Sequence, residues 1–323
     1  MTSEIACNCC SKRPAVIGLS YSGLDLCSPC FFELFERRVR KANRDFAMLR
    51  RGDRILVGIS GGKDSAAMLH VLDKMAKRIG NITLIPVLID EGIKGYREKA
   101  KKKAESLCKA HGYKLIVFSF ASLSGHSLDQ IIKIRGKSRN PEFKSMGACA
   151  ICGTLRKYLL NKAALKLKAN KVAIGHNADD IGQTFLMNIF RADSEGVSRF
   201  GPVSENDCDG LTVPRIKPLI YIPERECAYY CALKGLSYHL GECPYAMEAF
   251  RGLAKDFLND AEAKYPGIKF NVLKSYLSMR DVLEENRGKS RKSIPSCKCE
   301  KCGGKSSKEV CRACQVLSFV SQR

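Results

Sequence analysis

No stretch of this 323-residue chain is apolar enough over enough length to cross a bilayer. The longest apolar runs, such as ITLIPVLID at 82–90, fall far short of the ~20 residues that a membrane helix needs, so no membrane partner is expected. The opening MTSEIACNCC has no basic segment followed by an apolar stretch, so no secretory leader is expected and the compartment reads as cytoplasmic. Acidic residues are also scarce: 33 Asp and Glu stand against 55 Lys and Arg, a formal charge of +22. A solvated surface is the plain reading of such an excess, but it also attracts a polyanion by counterion release, and RNA or DNA is the partner expected. The cations concentrate at 37–54, 97–103, 133–144 and 287–292, and no sequence-reading helix is visible among them. Two familiar nucleotide motifs are missing as well. Neither Gly-x-x-x-x-Gly-Lys-Ser/Thr nor Gly-x-Gly-x-x-Gly occurs at the first strand-to-helix turn, so P-loop NTPase and Rossmann dehydrogenase readings fit badly.

What the chain has in excess is cysteine, 17 residues. In a reducing compartment disulfides do not account for them, and metal binding leads. Cys7, Cys10, Cys27 and Cys30 form two Cys-x-x-Cys pairs with sixteen residues between them, and Cys299, Cys302, Cys311 and Cys314 repeat the arrangement in CEKCGGKSSKEVCRAC. Each set suits one tetrahedral Zn²⁺, and a closed four-thiolate site is structural. Cys9 and Cys297 lie beside complete sets and read as alternates or bystanders, Cys10 being preferred to Cys9 on spacing. Cys108, Cys227 and Cys231 read as small buried apolar side chains. Cys149 and Cys152 form a further Cys-x-x-Cys with no second pair nearby, which leaves a metal site, a redox pair and a buried turn all open.

Between the terminal pairs, β-branched runs alternate with amphipathic segments, the pattern of an α/β fold with an open, mostly parallel sheet. Strands are expected at 54–60, 84–90, 114–120 and 171–176, and helices at 63–78, 96–111, 149–168 and 179–191. Such a sheet binds its ligand beyond the carboxyl ends of its strands. There VGISGGKDS offers Gly58, Ile59, Ser60, Gly61, Gly62, Lys63, Asp64 and Ser65, whose backbone N–H groups at a helix start can cradle phosphate. SGGxDS resembles the pyrophosphate loop of the ATP pyrophosphatase (adenine nucleotide alpha hydrolase-like) group, which cleaves ATP between its α and β phosphates. Within that resemblance Asp64 positions Mg²⁺ or phosphates. Ile89 or Asp90 is expected at the adenine edge, and Gly175 where the chain nears ribose or adenine. Asp179 and Asp180 start a helix, one expected to cap it and the other, Asp180, to bind Mg²⁺ or assist catalysis. His176 reads equally as acid/base or as a polar residue held at a strand end.

In order along the chain, CSPCF, SGGKDS, IDEGIKGYR, CAICGTLRK, GHNADD, LMNIFRAD, ECPYAMEAFRGLAKDFL and CRAC resemble the zinc-ribbon-bearing tRNA 2-thiouridine synthetases of the archaeal NcsA and eukaryotic cytosolic wobble-uridine thiolation type. The resemblance covers nearly the whole chain. It implies a Mg-ATP-dependent sulfurtransferase that adenylylates O2 of a tRNA uridine, at position 34 or, in a related branch, at position 54 of the T-loop, and replaces that oxygen with sulfur. Arg156 is expected to hold the α-phosphate or the activated oxygen. Cys149 and Cys152 with Cys243 are expected to hold a [4Fe–4S] cluster with one open iron. A persulfide carrier with a resolving cysteine, or structural zinc with Cys208 as fourth ligand, are the alternatives. The family also implies a homodimer and a sulfur donor that is a ubiquitin-like thiocarboxylate protein or sulfide. A zinc-ribbon tRNA-binding protein without catalysis is the reading from another class. The expected organisation is a ribbon at 1–35, a linking helix and α/β catalytic domain at 36–220, a helical extension at 221–290 and a second ribbon at 291–323.

Overall fold

The computed structural model describes residues 5–204, 210–246, 250–290 and 297–321. Cys208, weighed above as a zinc ligand, and the 291–292 end of the last basic tract lie outside the described residues. At the N-terminus β1 (Ile17–Leu19) and β2 (Leu24–Leu26) pair antiparallel. The helix α1 (Ser28–Phe46) follows, with Pro29 in its first turn, where a missing N–H costs nothing. Its Phe31, Phe35, Val39 and Ala42 are buried at helical spacing.

The central elements run in chain order: β3 (Arg54–Gly58), α2 (Lys63–Ile79), β4 (Thr83–Asp90), α3 (Arg97–Ala110), β5 (Ile116–Ser119), α4 (Phe120–Ser124), α5 (Leu128–Lys137), α6 (Pro141–Ser145), α7 (Ala148–Lys166), β6 (Lys171–Ala173), α8 (Ala178–Phe190), α9 (Ser194–Arg199) and β7 (Arg215–Ile216). The five strands form one all-parallel sheet in the order β5-β4-β3-β6-β7. Ile55, Leu56 and Val57 of β3 are fully buried because helices cover both faces, which is why the central strands read as continuous apolar runs rather than alternating ones. The order reverses beside β3, so the crevice of the sheet opens where the SGGKDS turn sits.

The chain continues through α10 (Glu224–Lys234), α11 (Arg251–Lys264) and α12 (Ile268–Ser290) to β8 (Cys297–Lys298), β9 (Lys305–Ser306) and α13 (Arg312–Ser321). One apolar core extends from Cys7 through the α2 side of the sheet to Tyr230 and Tyr276. On that core the N-terminal hairpin is locked to α10: Tyr21 Oη donates to Glu226 Oε1 at 2.5 Å, and Arg38 donates to both carboxylate oxygens of Glu226 at 2.9 Å. A second core on the opposite face packs α7 against Leu56, Val87 and Ile89 and carries α13 on its outside.

The expected strands and helices all form, most of them shortened or shifted by a residue or two. The segment 114–120 is the exception in kind: β5 ends at Ser119, whose hydroxyl caps α4, so Phe120 starts a helix and is fully buried. The two-residue edge strand β7 and the short helices α4, α5 and α6 carry too little periodicity to be read from sequence.

Candidate active site and metal centres

The phosphate loop is held by its own hydroxyls. Ser65 Oγ accepts from Ser60 N at 3.2 Å and donates to Gly62 O at 2.9 Å, while Ser60 Oγ accepts from Gly62 N at 3.2 Å. Gly61 has φ +87°, and a Cβ there would lie 2.3 Å from the Ala100 carbonyl oxygen on α3, so both backbone angle and space demand glycine. Below the loop, Arg97 donates to Ser60 O at 2.8 Å and forms a buried ion pair with Glu91. Glu91 Oε1 also lies 3.7 Å from the Arg156 guanidinium on α7.

Several expected nucleotide contacts have other occupations. Lys63 turns its ammonium to Glu224 at 2.8 Å and Asp64 at 3.4 Å, beside a cavity of about 420 Å³ also lined by Asp179, Asn259 and Lys269. Gly175 is required by the phosphate loop itself, since a Cβ there would meet Ser65 N at 3.2 Å and Asp64 C at 3.3 Å. Ile89 is buried and paired in the β4–β5 ladder, and Asp90 accepts from Gly92 N at 2.9 Å to form a turn. Gly58 passes close to Ala173 O, and Ile59 N donates to Val87 O at 2.8 Å, which carries the chain from β3 into the loop.

The aspartates divide their work differently from the expectation. The cap of α8 is Asn177, whose Oδ1 accepts from Asp180 N at 3.0 Å while Asp180 Oδ2 accepts from Asn177 N at 3.1 Å, a reciprocal capping box. Asp180, assigned to chemistry, is therefore itself the capping partner, and its Oδ1 takes Arg251 at 2.8 Å. Burial raises the Asp180 carboxyl to about 6, with Arg251 opposing. Asp179 does not cap; it accepts from Glu224 N at 2.7 Å and pairs with Lys269. Asn177 Nδ2 donates to Asp64 Oδ1 at 3.1 Å, so the α8 cap reaches the phosphate loop. Burial also raises Asp64, opposed by Lys63 and Asn177. Beneath it lie Cys227 and Cys231, both fully buried as expected, yet not idle: Cys231 Sγ donates to Lys63 O at 3.2 Å.

On α7, Ala148, Ile151, Leu155, Leu159 and Ala163 bury one stripe, and Cys149, Cys152 and Arg156, spaced three and four apart, lie together on the stripe beside it. The loop after α10 joins this helix to the phosphate loop: His239 N donates to Gly61 O at 2.8 Å, and farther along Cys149 Sγ donates to Tyr245 O at 3.3 Å. Cys243 lies between those anchors, and it and Cys152 are half-buried against the same apolar cluster. Burial pushes the Cys152 thiol up to about 11, with Arg156 opposing and Cys243 adding to the rise.

Among the described residues, two sets of thiols lie close enough for one ion, with all sulfurs within 4.8 Å: Cys7, Cys10, Cys27, Cys30 and Cys299, Cys302, Cys311, Cys314. Tetrahedral zinc with bonds of ~2.3 Å places its sulfurs ~3.8 Å apart. Cys10 and Cys27, and Cys302 and Cys311, are separated by 3.8 Å. Cys9 is exposed and outside the first set. Among the described residues Cys149, Cys152 and Cys243 are not such a set.

Residues 33–252 match the PP-loop domain family. The chain is 35% identical to the tRNA 2-thiolation protein NcsA of Haloferax volcanii, over 97% of this chain and 98% of that one. It belongs to the tRNA 2-thiolation family of PP-loop proteins. It is 33% identical to cytoplasmic tRNA 2-thiolation protein 1 of Arabidopsis thaliana, over 100% of this chain and 86% of that one. The fold superposes with TM-score 0.79 and 31% identity on the U34-tRNA thiolase NcsA of Methanococcus maripaludis with its [4Fe–4S] cluster, covering 98% and 96% of the two chains. Membership accounts for the parallel sheet. Among the described residues no helix is long and apolar enough to cross a membrane.

For this family member the sequence reading missed the side chains that hold the site together. Glu91 and Arg97 sit inside IDEGIKGYR, and the signal was the acidic pair Asp90 and Glu91 directly after an apolar run. Asn177 precedes Asp180 by three, the spacing of a capping box. Arg251 carried no local signal, because its partner Asp180 is 71 residues away.

Proposed function

We propose that the chain is a cytoplasmic ATP-dependent tRNA sulfurtransferase that converts the wobble uridine, position 34, to 2-thiouridine. The observation that carries this reading is the single loop that ties the phosphate loop at Gly61 to the cysteine-bearing helix at Cys149, with Cys243 between the two anchors. ATP activation and sulfur delivery then share one crevice. The U34-tRNA thiolase among the structural relatives supports the wobble position over position 54.

Backbone N–H groups of Ser60–Ser65 receive the phosphates, and Asp64 and Asp180 are the carboxylates that would hold Mg²⁺ there. Uridine O2 attacks the α-phosphorus of ATP and pyrophosphate leaves. Arg156 holds the α-phosphate as charge develops, and Glu91 keeps that guanidinium oriented. A sulfur nucleophile then adds at C2, and AMP departs with the original O2. Cys149, Cys152 and Cys243 would hold a [4Fe–4S] cluster, which when bound supplies an open iron for hydrosulfide. The two four-thiol sets would each hold structural Zn²⁺. The sulfur enters as sulfide or from a ubiquitin-like thiocarboxylate protein, and the working unit is a homodimer.

The test is anaerobic purification with iron and zinc counts and electron paramagnetic resonance, followed by assay with unmodified tRNA, ATP and sulfide. The expected result is two zincs and four irons per chain, with AMP and pyrophosphate formed only when tRNA is present. Two zincs and no iron with full thiolation would sink the cluster, and tRNA binding without AMP formation would sink the enzyme.

A further inference from the structure

On the β6–β7 side of the crevice, across Gly175 from the phosphate loop, cations gather that pair with no carboxylate among the described residues. Lys157 follows Arg156 on α7, and because neighbouring helix positions point about 100° apart the two side chains diverge, Arg156 facing Glu91 just beyond β4. Arg215 on β7 donates to the Lys157 carbonyl oxygen at 3.2 Å. Lys217, just beyond β7, is buried; its ammonium meets the Gly201 carbonyl and lies 4.1 Å from the centre of the Phe200 ring. Among the described residues no carboxylate pairs with Lys157, Arg215 or Lys217, whereas Arg251 beside them is matched by Asp180.

His176, three residues beyond β6, lies within this group, its ring 6.3 Å from that of Phe200, and its Nδ1 is buried without a hydrogen-bond partner. Burial, with Lys217, Arg251, Arg156 and Lys157 around it, holds the imidazole neutral. Burial also draws Lys217 down to about 7, and Arg215, Arg280 and Lys157 add to the fall. Lys157, exposed at the rim of the group, is lowered by partial desolvation and by Arg215, Arg156 and Arg251. Cations that repel one another this closely around an unpartnered buried nitrogen are held ready for an anion from outside the chain.

We propose that Lys157 and Arg215, arranged around His176 and backed by Lys217, form a subsite for a phosphodiester group of the RNA substrate, separate from the loop that takes the phosphates of ATP. The inference rests on the function proposed above. Lys157 adjoins Arg156 on α7, so the subsite would take a backbone phosphate of the nucleotide activated there. ATP is the other possible source of phosphate, but its phosphates have their cradle at Ser60–Ser65, on the opposite flank of β6.

The experiment measures binding of an unmodified tRNA transcript and, separately, of Mg-ATP and of pyrophosphate to wild type, Lys157→Gln and Arg215→Gln over a range of salt. Loss of a charge-assisted phosphate contact should weaken RNA binding about tenfold. It should also flatten the dependence of log affinity on log salt by about 0.7 to 1 per cation removed, with ATP and pyrophosphate affinity unchanged. Because Arg215 also braces the α7 backbone, Lys157→Gln, whose side chain braces nothing, carries the decision. Loss of ATP or pyrophosphate affinity with RNA binding intact would overturn the proposal, as would unchanged affinity for all three. Wild type that binds and thiolates tRNA while Lys157→Gln binds it equally well sinks this inference alone; wild type that binds no tRNA sinks the functional reading with it.

Discussion

The terminal thiol sets and the α7 thiols are made of the same Cys-x-x-Cys element and are built to opposite ends. In each terminal set the four sulfurs crowd within reach of one ion, and their backbone partners are local: Cys311 N donates to Cys299 Sγ at 3.2 Å and Gly303 N to Cys299 O at 2.8 Å. At α7 each thiol is placed by the fold rather than by the other thiols. Cys149 leans on Tyr245, Cys152 is half-buried beside Arg156, and Cys243 hangs from a loop anchored on Gly61. A closed set stabilises structure, and an incomplete one leaves a position for chemistry.

Exchanging one cysteine in each region sharpens that contrast most. Cys27 is buried in the N-terminal core, and Cys27→Ser removes a ligand from a site of the kind that supplies ~10–16 kcal/mol in small zinc-dependent folds. The thermal midpoint should fall by about 10 °C or more, with one zinc lost. Cys149 is exposed, so Cys149→Ser should leave the midpoint within about 2 °C while abolishing tRNA thiolation. Calorimetry with metal counts and the thiolation assay checks both; equal destabilisation would erase the distinction.

If the open site is framed by charge rather than metal, its weak point is Glu91. Glu91→Gln leaves Arg97 buried without its carboxylate and frees Arg156, at a cost of about 3–5 kcal/mol. Urea unfolding should show that loss, and the KM for ATP should rise because Arg97 also holds Ser60.

How much of this contrast was legible in sequence follows from how local each interaction is. The terminal sets were readable because ligands three apart, with sixteen or eight residues between pairs, announce a tetrahedral site. The phosphate loop was readable because Gly61 and Gly62 fall between a strand and a helix. The frame was not: Glu226 binding Arg38, Arg251 binding Asp180, and Lys63 turning to Glu224 join residues 71 to 188 positions apart, and no spacing encodes them. The separation of the cysteine-bearing helix into a Glu91-facing and a β7-facing side likewise depends on which strands flank it.

The Asp180–Arg251 pair tests the open site through pH. Asp180 has its folded value raised from 3.8 to about 6, so the folded chain keeps this proton longer than the unfolded one does. Its effect favours folding below 3.8 and is lost as pH rises through about 6. Activity runs the other way, because holding Mg²⁺ requires the carboxylate. The rate should therefore fall as pH drops below about 6. Arg251 favours the charged form, so Arg251→Gln should shift that acid limb to higher pH, and an unmoved limb would remove Asp180 from the chemistry.

The smallest effect concerns whether the two kinds of site are independent. Tyr158 lies on α7 two residues beyond Arg156; burial pushes its hydroxyl up to about 12, and Cys302 and Cys314 of the second set add to the rise. Arg312 of α13 adds an ion pair to Glu142 on α6. The C-terminal set is thus fastened to the cysteine-bearing helix itself. Tyr158→Phe removes the hydroxyl beside Cys302 while keeping the ring, and should cost about 1 kcal/mol in urea unfolding. If the regions are mechanically separate, thiolation by this variant matches wild type. A fall in rate with zinc content and ATP binding unchanged would show that the closed site helps to hold the open one in place.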